Sequence, residues 1–250
     1  MSFTPRLFLP AISKSSKEIQ LDAAVSRYLV KVLRLKEGNR FLGFDAQSHQ
    51  YELVLKKTEG QMALAEVLGM TEHKKGEGVS LIALAQSLPK FAKMDLILRQ
   101  GTELGVNRFI PLVTQRSISR PDDSGQEHKH ERWEKILVEA CRQCGRNDVP
   151  MLDPVTDWNK GLEIFKEFDL VLLPYEKEAP GLWEVLKSSS SQGKTLILIG
   201  PEGGWSPEEV RQAQEKGAFP VHLPTPILRT ETAGAAVVSM VQFFLSQTPG

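Results

Sequence analysis

The run Leu198 to Pro207, LIGPEGGWSP, concentrates residues able to do chemistry. Gly200, Gly203 and Gly204 let a main chain approach a ligand closely or take a positive φ. The apolar residues before them read as a strand ending at Ile199. Ser206, Pro207 and Glu209 after them spell a capping box that opens a helix. In an open α/β sheet a loop so placed lies outside the carboxyl ends of the strands, where ligands bind. It is not a phosphate loop: Gly193-Lys194-Thr195 ends like one, but Ser188 holds the first glycine's place and the triplet precedes a strand. Gly-x-Gly-x-x-Gly is also missing. Taken alone, the run also admits a tight structural turn.

Two further segments suit the same edge. Leu223 to Ala236, LPTPILRTETAGAA, stiffens its approach with prolines and then enters a helix of small residues, which implies close packing by chain or ligand. Leu172 to Glu176, LLPYE, ends another apolar run. Three such loops could enclose one small molecule. A fourth segment, Glu139 to Pro150 (EACRQCGRNDVP), carries the chain's two cysteines, Cys141 and Cys144. Zinc needs four ligands and no second pair exists, while a thioredoxin pair belongs at a helix start and this one lies at a helix end. Buried free thiols are expected, and no metal. Arg142 and Arg146, beside Gly145 as a C-cap, suit phosphate or base contact.

The elements that position these segments fall into two patterns. In the first part, residues 40–45, 50–56 and 61–68 alternate as strands between glycine-bearing turns, after a helix over about 22–32. That predicts a small β-barrel or half-barrel, closed by a polar linker at 73–78. Beyond it, residues 79–85, 109–113, 169–173, 195–199 and 219–223 are short unbroken apolar runs, as strands buried on both faces are. Helical stretches at 90–104, 129–144, 206–217 and 231–246 alternate with them, so the larger domain is expected to be α/β. Gly125 to His130, GQEHKH, reads as a polar loop.

Composition narrows the class. Of 250 residues 41% are hydrophobic and 25% charged, which excludes wholesale disorder and fibrous repeats. No apolar run reaches the roughly 18 residues of a membrane span, and the start lacks a long apolar secretory core. The 31 basic residues balance 31 acidic ones, yet residues 1–40 carry eight Lys/Arg against three acids. Residues 83–120 carry six against two. A polyanion could dock on these regions.

Together the segments resemble the RsmE family of ribosomal RNA methyltransferases, of the knotted SPOUT class. The resemblance runs through Arg6-Leu7-Phe8, Tyr28 to Asp45 (YLVKVLRLKEGNRFLGFD), Lys93 to Pro111 (KMDLILRQGTELGVNRFIP), Arg116-Ser117 and Glu139 to Pro150. Its most diagnostic runs are Ile199 to Gly204 and Leu228 to Thr232, the IGPEGG and LRTET sequences. Gln100 stands where that family often has lysine, and Trp205 where an aliphatic is usual.

The resemblance implies a knotted SPOUT-type parallel-sheet α/β domain over 79–250, with a C-terminal trefoil knot at about 195–240, preceded by a PUA-like RNA-binding β-barrel domain over 1–72. It implies S-adenosyl-L-methionine as cofactor, held by Leu173, Pro174, Ile199, Gly200, Pro201, Glu202, Gly203, Gly204, Leu223, Leu228, Thr230 and Thr232. The reaction would be attack by N3 of a uridine in the 16S RNA of the small ribosomal subunit on the cofactor's methyl group. Arg229 would stabilise the uridine anion at O2 or O4, and Glu202 or Glu231 would take the N3 proton. The plainer readings are an ion pair for Arg229 and a helix cap for Glu231. RNA contacts would fall to Arg6, Lys31, Arg34, Arg116, Arg142 and Arg146. A cytoplasmic homodimer is implied, with 16S rRNA or the small subunit as partner and no membrane. The alternative is an RNA-binding ribosome-assembly factor that moves no methyl group; the intact GPEGG and LRTET runs favour the enzyme.

Overall fold

A computed structural model describes residues 4–59, 62–72, 81–90, 93–117, 123–189 and 193–247. It divides into two compact units, Met1–Glu77 with Cys141–Val149, and Gly78–Ala140 with Pro150–Gly250. The expected linker at 73–78 lies outside the described residues.

In the first unit β1 (Arg6–Phe8), β2 (Glu18–Leu21), β3 (Arg40–Phe44), β4 (His49–Glu59) and β5 (Met62–Glu72) form a sheet in the order β1-β3-β4-β5-β2. Only the β1–β3 pair is parallel. Alternation sets its faces: Tyr51, Leu53 and Leu55 are buried while Glu52 and Lys56 are exposed, so one face of β4 meets Leu21, Leu29, Phe41, Ala63 and Ala65 in the core. The helix expected over 22–32 is split. Helix α1 (Ala23–Arg27) is capped by the Asp22 carboxylate, which accepts the Val25 N–H at 2.8 Å. A π-helical turn over Tyr28–Val32 follows, closed by the Leu33 N–H on the Tyr28 carbonyl at 3.0 Å. The wider turn leaves Val30, Lys31 and Val32 exposed.

Asp45 fastens the β3–β4 corner. It accepts the main-chain N–H groups of Gln47 and His49, each at 2.9 Å, the Tyr51 hydroxyl at 2.8 Å, and a contact from the His49 ring at 2.7 Å. Burial alone would raise its pKa, but the bonds from His49, Tyr51 and Gln47 hold it below the usual value. Tyr51 is pushed up to about 12 by burial and by Asp45, so it stays a donor. A depressed carboxyl stabilises the fold in full above its unfolded value of about 3.9, and that contribution is lost as pH falls through and below it. Asp45→Asn is expected to cost roughly 1.5–3 kcal/mol at neutral pH, as hydrogen bonds to charged groups do. Denaturant midpoints of the two proteins should converge as the pH is lowered; a constant gap would contradict the assignment.

In the second unit β6 (Ile82–Ser87), β7 (Arg108–Val113), β8 (Met151–Leu152), β9 (Thr156–Asp157), β10 (Leu170–Pro174), β11 (Thr195–Ile199) and β12 (Phe219–Val221) make a wholly parallel sheet. The order is β12-β10-β11-β6-β7-β8, with β9 also on β7. Every residue of β6 and β11 is buried, which is why their sequences show unbroken apolar runs. The helices are α2 (Lys93–Glu103), α3 (Asp123–Cys144), α4 (Trp158–Ile164), α5 (Leu182–Ser188), α6 (Pro207–Glu215) and α7 (Thr230–Gln247). None is long and apolar enough to cross a membrane among the described residues.

Two sequence expectations are corrected. Gly125 to His130 is not a loop but lies within α3: Gln, Glu and Lys are good helix formers, and a stretch without apolar periodicity hid the helix. The first strand of this unit runs over 82–87 instead of ending at Ala85, because the pairing of β6 continues through Gln86 with Ile199 and Pro111 and through Ser87 with Leu112. That extension carries two polar side chains to the carboxyl edge of the sheet.

Candidate functional site

The loops that follow β6, β7, β10 and β11 all leave the carboxyl edge of the parallel sheet, and the turn preceding α7 joins them there. Gly200 begins the loop after β11. Its carbonyl accepts the Thr230 hydroxyl at 2.6 Å, and that hydroxyl oxygen accepts the Gln86 amide at 3.0 Å. A Cβ on Gly200 would sit 3.2 Å from the Trp205 ring, so glycine lets the indole close over the strand end. The Pro201 carbonyl accepts the Gly204 N–H at 2.9 Å in a turn that holds Gly204 at φ +67°. Arg116 reaches in from the loop after β7 and donates to the Gly203 carbonyl at 2.7 Å. The capping box forms as expected, Ser206 N–H on Glu209 at 2.9 Å and Glu209 N–H on the Ser206 hydroxyl at 3.2 Å. Glu209 also accepts the Gln115 N–H at 2.7 Å, which ties the helix start to the β7 loop.

An ion triad stands beside this loop. The Lys93 ammonium lies 3.0 Å from Glu202 and 3.1 Å from Glu231, while the Glu202 carboxylate also accepts the Lys90 N–H at 3.0 and 3.3 Å. The two carboxylates raise the Lys93 pKa. Burial works against the charge on Glu202, but Lys93 and the N–H groups of Glu202 and Lys90 outweigh it and hold the carboxyl below its usual value. Glu231 is lowered first by its own N–H and then, against burial, by Lys93 and the charge of Arg229. Four buried polar atoms of this edge have no hydrogen-bond partner: Gln86 Oε1, Trp205 Nε1, Thr225 Oγ1 and Glu231 Oε2, the last of which meets Lys93 as an ion pair only. Such atoms are costly unless something satisfies them.

The other expected pocket residues occupy the same edge. Leu173 is buried and Pro174 ends β10, paired in register with Val221. Ile199 and Pro201 are buried, while Leu223 and Leu228 are half-buried on the approach to α7. The Thr232 N–H closes on the Arg229 carbonyl at 2.9 Å in the first turn of that helix. Arg229 does not form the ion pair of its plainer reading. Its side chain is exposed and makes no hydrogen bond or ion pair among the described residues, because Ile227 before it is 85% exposed and the turn carries both outward. Sequence reasoning missed Gln86, Lys90 and Lys93. The polar Gln-Ser pair ending an apolar run was the available signal for Gln86.

The expected RNA contacts divide. Lys31 and Arg34 are exposed on the π-helical turn and just after it, with Arg34 at φ 55°. Arg6 is instead an internal strut of the first unit. It donates to the Arg146 carbonyl at 3.1 Å and to the Asn147 side chain, and lies 5.2 Å over the Phe44 ring. Arg142 stacks 4.4 Å from the Tyr28 ring, and Arg146 pairs with Asp148 at 2.6 Å. Burial pushes the Cys141 thiol up to about 12, as expected of an inert thiol; Cys144, expected buried, is exposed because the helix ends there. Among the described residues no group of three or more His, Cys, Asp or Glu side chains could hold a metal.

Residues 77–242, which carry this sheet and its loops, match in sequence the family described as the RNA methyltransferase domain. Ribosomal RNA small subunit methyltransferase E of Bacillus subtilis is 30% identical over 221 residues, covering 86% of each chain. Its namesake in Synechocystis is 32% identical over 230 residues, 91% of this chain and 73% of that protein. The crystal structure of ribosomal RNA small subunit methyltransferase E from Neisseria gonorrhoeae, bound to S-adenosyl methionine, superposes with a TM-score of 0.86 at 30% identity, covering 96% of this chain and 97% of the other. The chain belongs to the ribosomal RNA small subunit methyltransferase E family.

Proposed function

We propose that the carboxyl edge of the parallel sheet holds S-adenosylmethionine, and that the chain uses it to methylate N3 of a uridine in the 16S RNA of the small ribosomal subunit. Family membership makes the chain a cofactor-dependent ribosomal RNA methyltransferase and disfavours the assembly-factor reading; the atom methylated and the residues that act are the proposal. The observation that carries the site is the Gly200–Gly204 loop, fastened by Thr230, Lys93 and Arg116, with unpaired buried polar atoms beside it. Those atoms include acceptors and a donor, which suits a ligand such as S-adenosylmethionine whose adenine edge and amino-acid end offer both. Ile199 to Gly204, Leu173, Pro174, Leu223, Leu228, Thr230 and Thr232 would hold it.

The bound cofactor supplies an electrophilic methyl group. The protein must orient the uridine and make its N3 anion less costly. Arg229, exposed at the lip of the site and without a hydrogen bond or ion pair among the described residues, keeps its guanidinium donors available for O2 or O4. Glu202 and Glu231, held below their usual values by main-chain N–H groups as well as by Lys93, are the carboxylates in accepting form. Held below the ordinary range, each binds a proton weakly, so Arg229 carries the larger share of the work.

A trefoil knot over about 195–240 accords with the strand order. The chain runs out to the edge strand β12, then returns so that α7 packs on β11 and β6, with Thr230 bonded to Gly200. The mainly antiparallel first unit suits a PUA-like RNA-binding domain, and its exposed Lys31 and Arg34 suit phosphate contact. A homodimer is favoured by large apolar side chains exposed on the packed pair α2 and α7, Leu96 and Phe243. A ribosomal RNA substrate suits a cytoplasmic protein.

Calorimetric titration with S-adenosylmethionine tests the pocket. Micromolar-range binding is expected, and absence of binding would return the chain to the assembly-factor reading. Lys31→Glu with Arg34→Glu should weaken RNA binding and leave the cofactor titration unchanged. The slope of log affinity against log salt should become shallower by about one to two, roughly 0.9 for each duplex phosphate no longer neutralised. An unchanged slope would remove these residues from the interface.

A further inference from the structure

Lys93 belongs to neither C-terminal run, yet among the described residues its ammonium forms an ion pair with each, 3.0 Å from Glu202 and 3.1 Å from Glu231. We propose that Lys93 is a positioning residue for the methyl-donor pocket, clamping the Gly200–Gly204 loop to the first turn of α7 without itself touching the cofactor. The proposal rests on the reading of these loops as the cofactor site.

The loop has three ties. Gly200 is held by Thr230, Gly203 by Arg116, and between them Glu202 is held by Lys93 and the Lys90 N–H. Without the ammonium, two carboxylates from different segments would face each other with like charge, and the mid-loop tie would fall to one main-chain N–H. The side chains are 29% (Lys93), 24% (Glu202) and 15% (Glu231) exposed, so the ion pairs are neither freely solvated nor sealed. The groups facing these carboxylates are Lys93 on α2, the charge of Arg229 ahead of α7, and the N–H groups of Lys90, Glu202 and Glu231. The other nearby charge on α2, Asp95, is paired with Arg132.

The test is titration of S-adenosylmethionine into wild type, Lys93→Met, Lys93→Arg and Glu202→Gln/Glu231→Gln, the last with and without Lys93→Met, alongside thermal melts. Lys93→Met should weaken cofactor binding about tenfold, between the effects of exposed and buried ion pairs, and raise the cofactor KM with little change in kcat. Lys93→Arg should recover most of the loss. In the double-glutamine background Lys93→Met should change affinity by less than about twofold. As pH falls through the carboxylate range, wild type should lose affinity with the clamp and the gap to Lys93→Met should close, since protonation removes both the ion pairs and the repulsion left when Lys93 is absent. If Lys93→Met melts without cooperativity, the Lys93→Arg and double-glutamine arms decide alone. Equal binding by wild type and Lys93→Met overturns the clamp and leaves the pocket standing, as does an undiminished Lys93→Met effect in the double-glutamine background. A wild type that takes up no cofactor overturns the pocket reading itself, and the clamp with it.

Discussion

Arg229→Ala is expected to lower single-turnover methylation, at saturating cofactor and RNA, by roughly 10²–10³-fold, the loss seen when one donor to a developing anion is removed. The residue stands on a short turn between the exposed Ile227 and the first turn of α7, where its backbone carbonyl accepts the Thr232 and Ala233 N–H groups at 2.9 and 2.8 Å. The backbone is therefore fixed while the side chain is free, as a group that engages only an incoming base requires. Because the exposed guanidinium makes no hydrogen bond or ion pair among the described residues, its removal should leave the melting temperature nearly unchanged. A lysine in its place would keep the charge but lose the planar fork, so Arg229→Lys should recover only part of the rate. If both variants turn over at the wild-type rate, anion stabilisation has to be sought elsewhere in the site.

Gly203→Val is expected to abolish measurable cofactor binding, a loss of at least about 10²-fold, with a cooperative melt retained. A Cβ there would lie 3.3 Å from Cβ and Cδ of Arg116, displacing the side chain that holds the loop through the Gly203 carbonyl. Gly200→Val should remove binding as well, but with a lower melting temperature. Its Cβ presses on Trp205, which is buried in the core and packs 5.3 Å from Trp158. Melting curves and calorimetry on the two variants separate these effects. Undiminished affinity in Gly203→Val would move the pocket away from this loop.

The parts of the site legible in the sequence are those encoded locally. A strand, a glycine turn and a capping box are neighbours along the chain, so Ile199 to Glu209 could be read directly, and the unbroken apolar runs announced buried parallel strands. What was hidden depends on contacts between distant segments. Lys93 counted only as one basic residue among several, since nothing near it in sequence shows that two carboxylates converge on it. Arg6, Arg142 and Arg146 looked like phosphate ligands because guanidinium groups serve both purposes. Only the fold shows Arg6 bonded to the 146–147 turn and Arg142 stacked on Tyr28. The π-helical turn at Tyr28–Val32 was unreadable for another reason: apolar spacing barely distinguishes one wide turn from a regular helix.

The packing of 141–149 with the first unit also determines how RNA recruitment can be tested. Deleting the N-terminal residues would strip Arg142 and Asn147 of Tyr28 and Arg6, so loss of activity would not separate RNA recruitment from local unfolding. Charge reversal at the exposed Lys31 and Arg34 avoids that ambiguity.

The most direct measurement is nucleoside analysis of 16S RNA after incubation, free or in the small subunit, with the purified protein and S-adenosylmethionine carrying a labelled methyl group. The label is predicted to appear in 3-methyluridine at a single position and to be lost with Arg229→Ala. Label in a different nucleoside, or none in an RNA that the protein binds, would contradict uridine N3 methylation by this site.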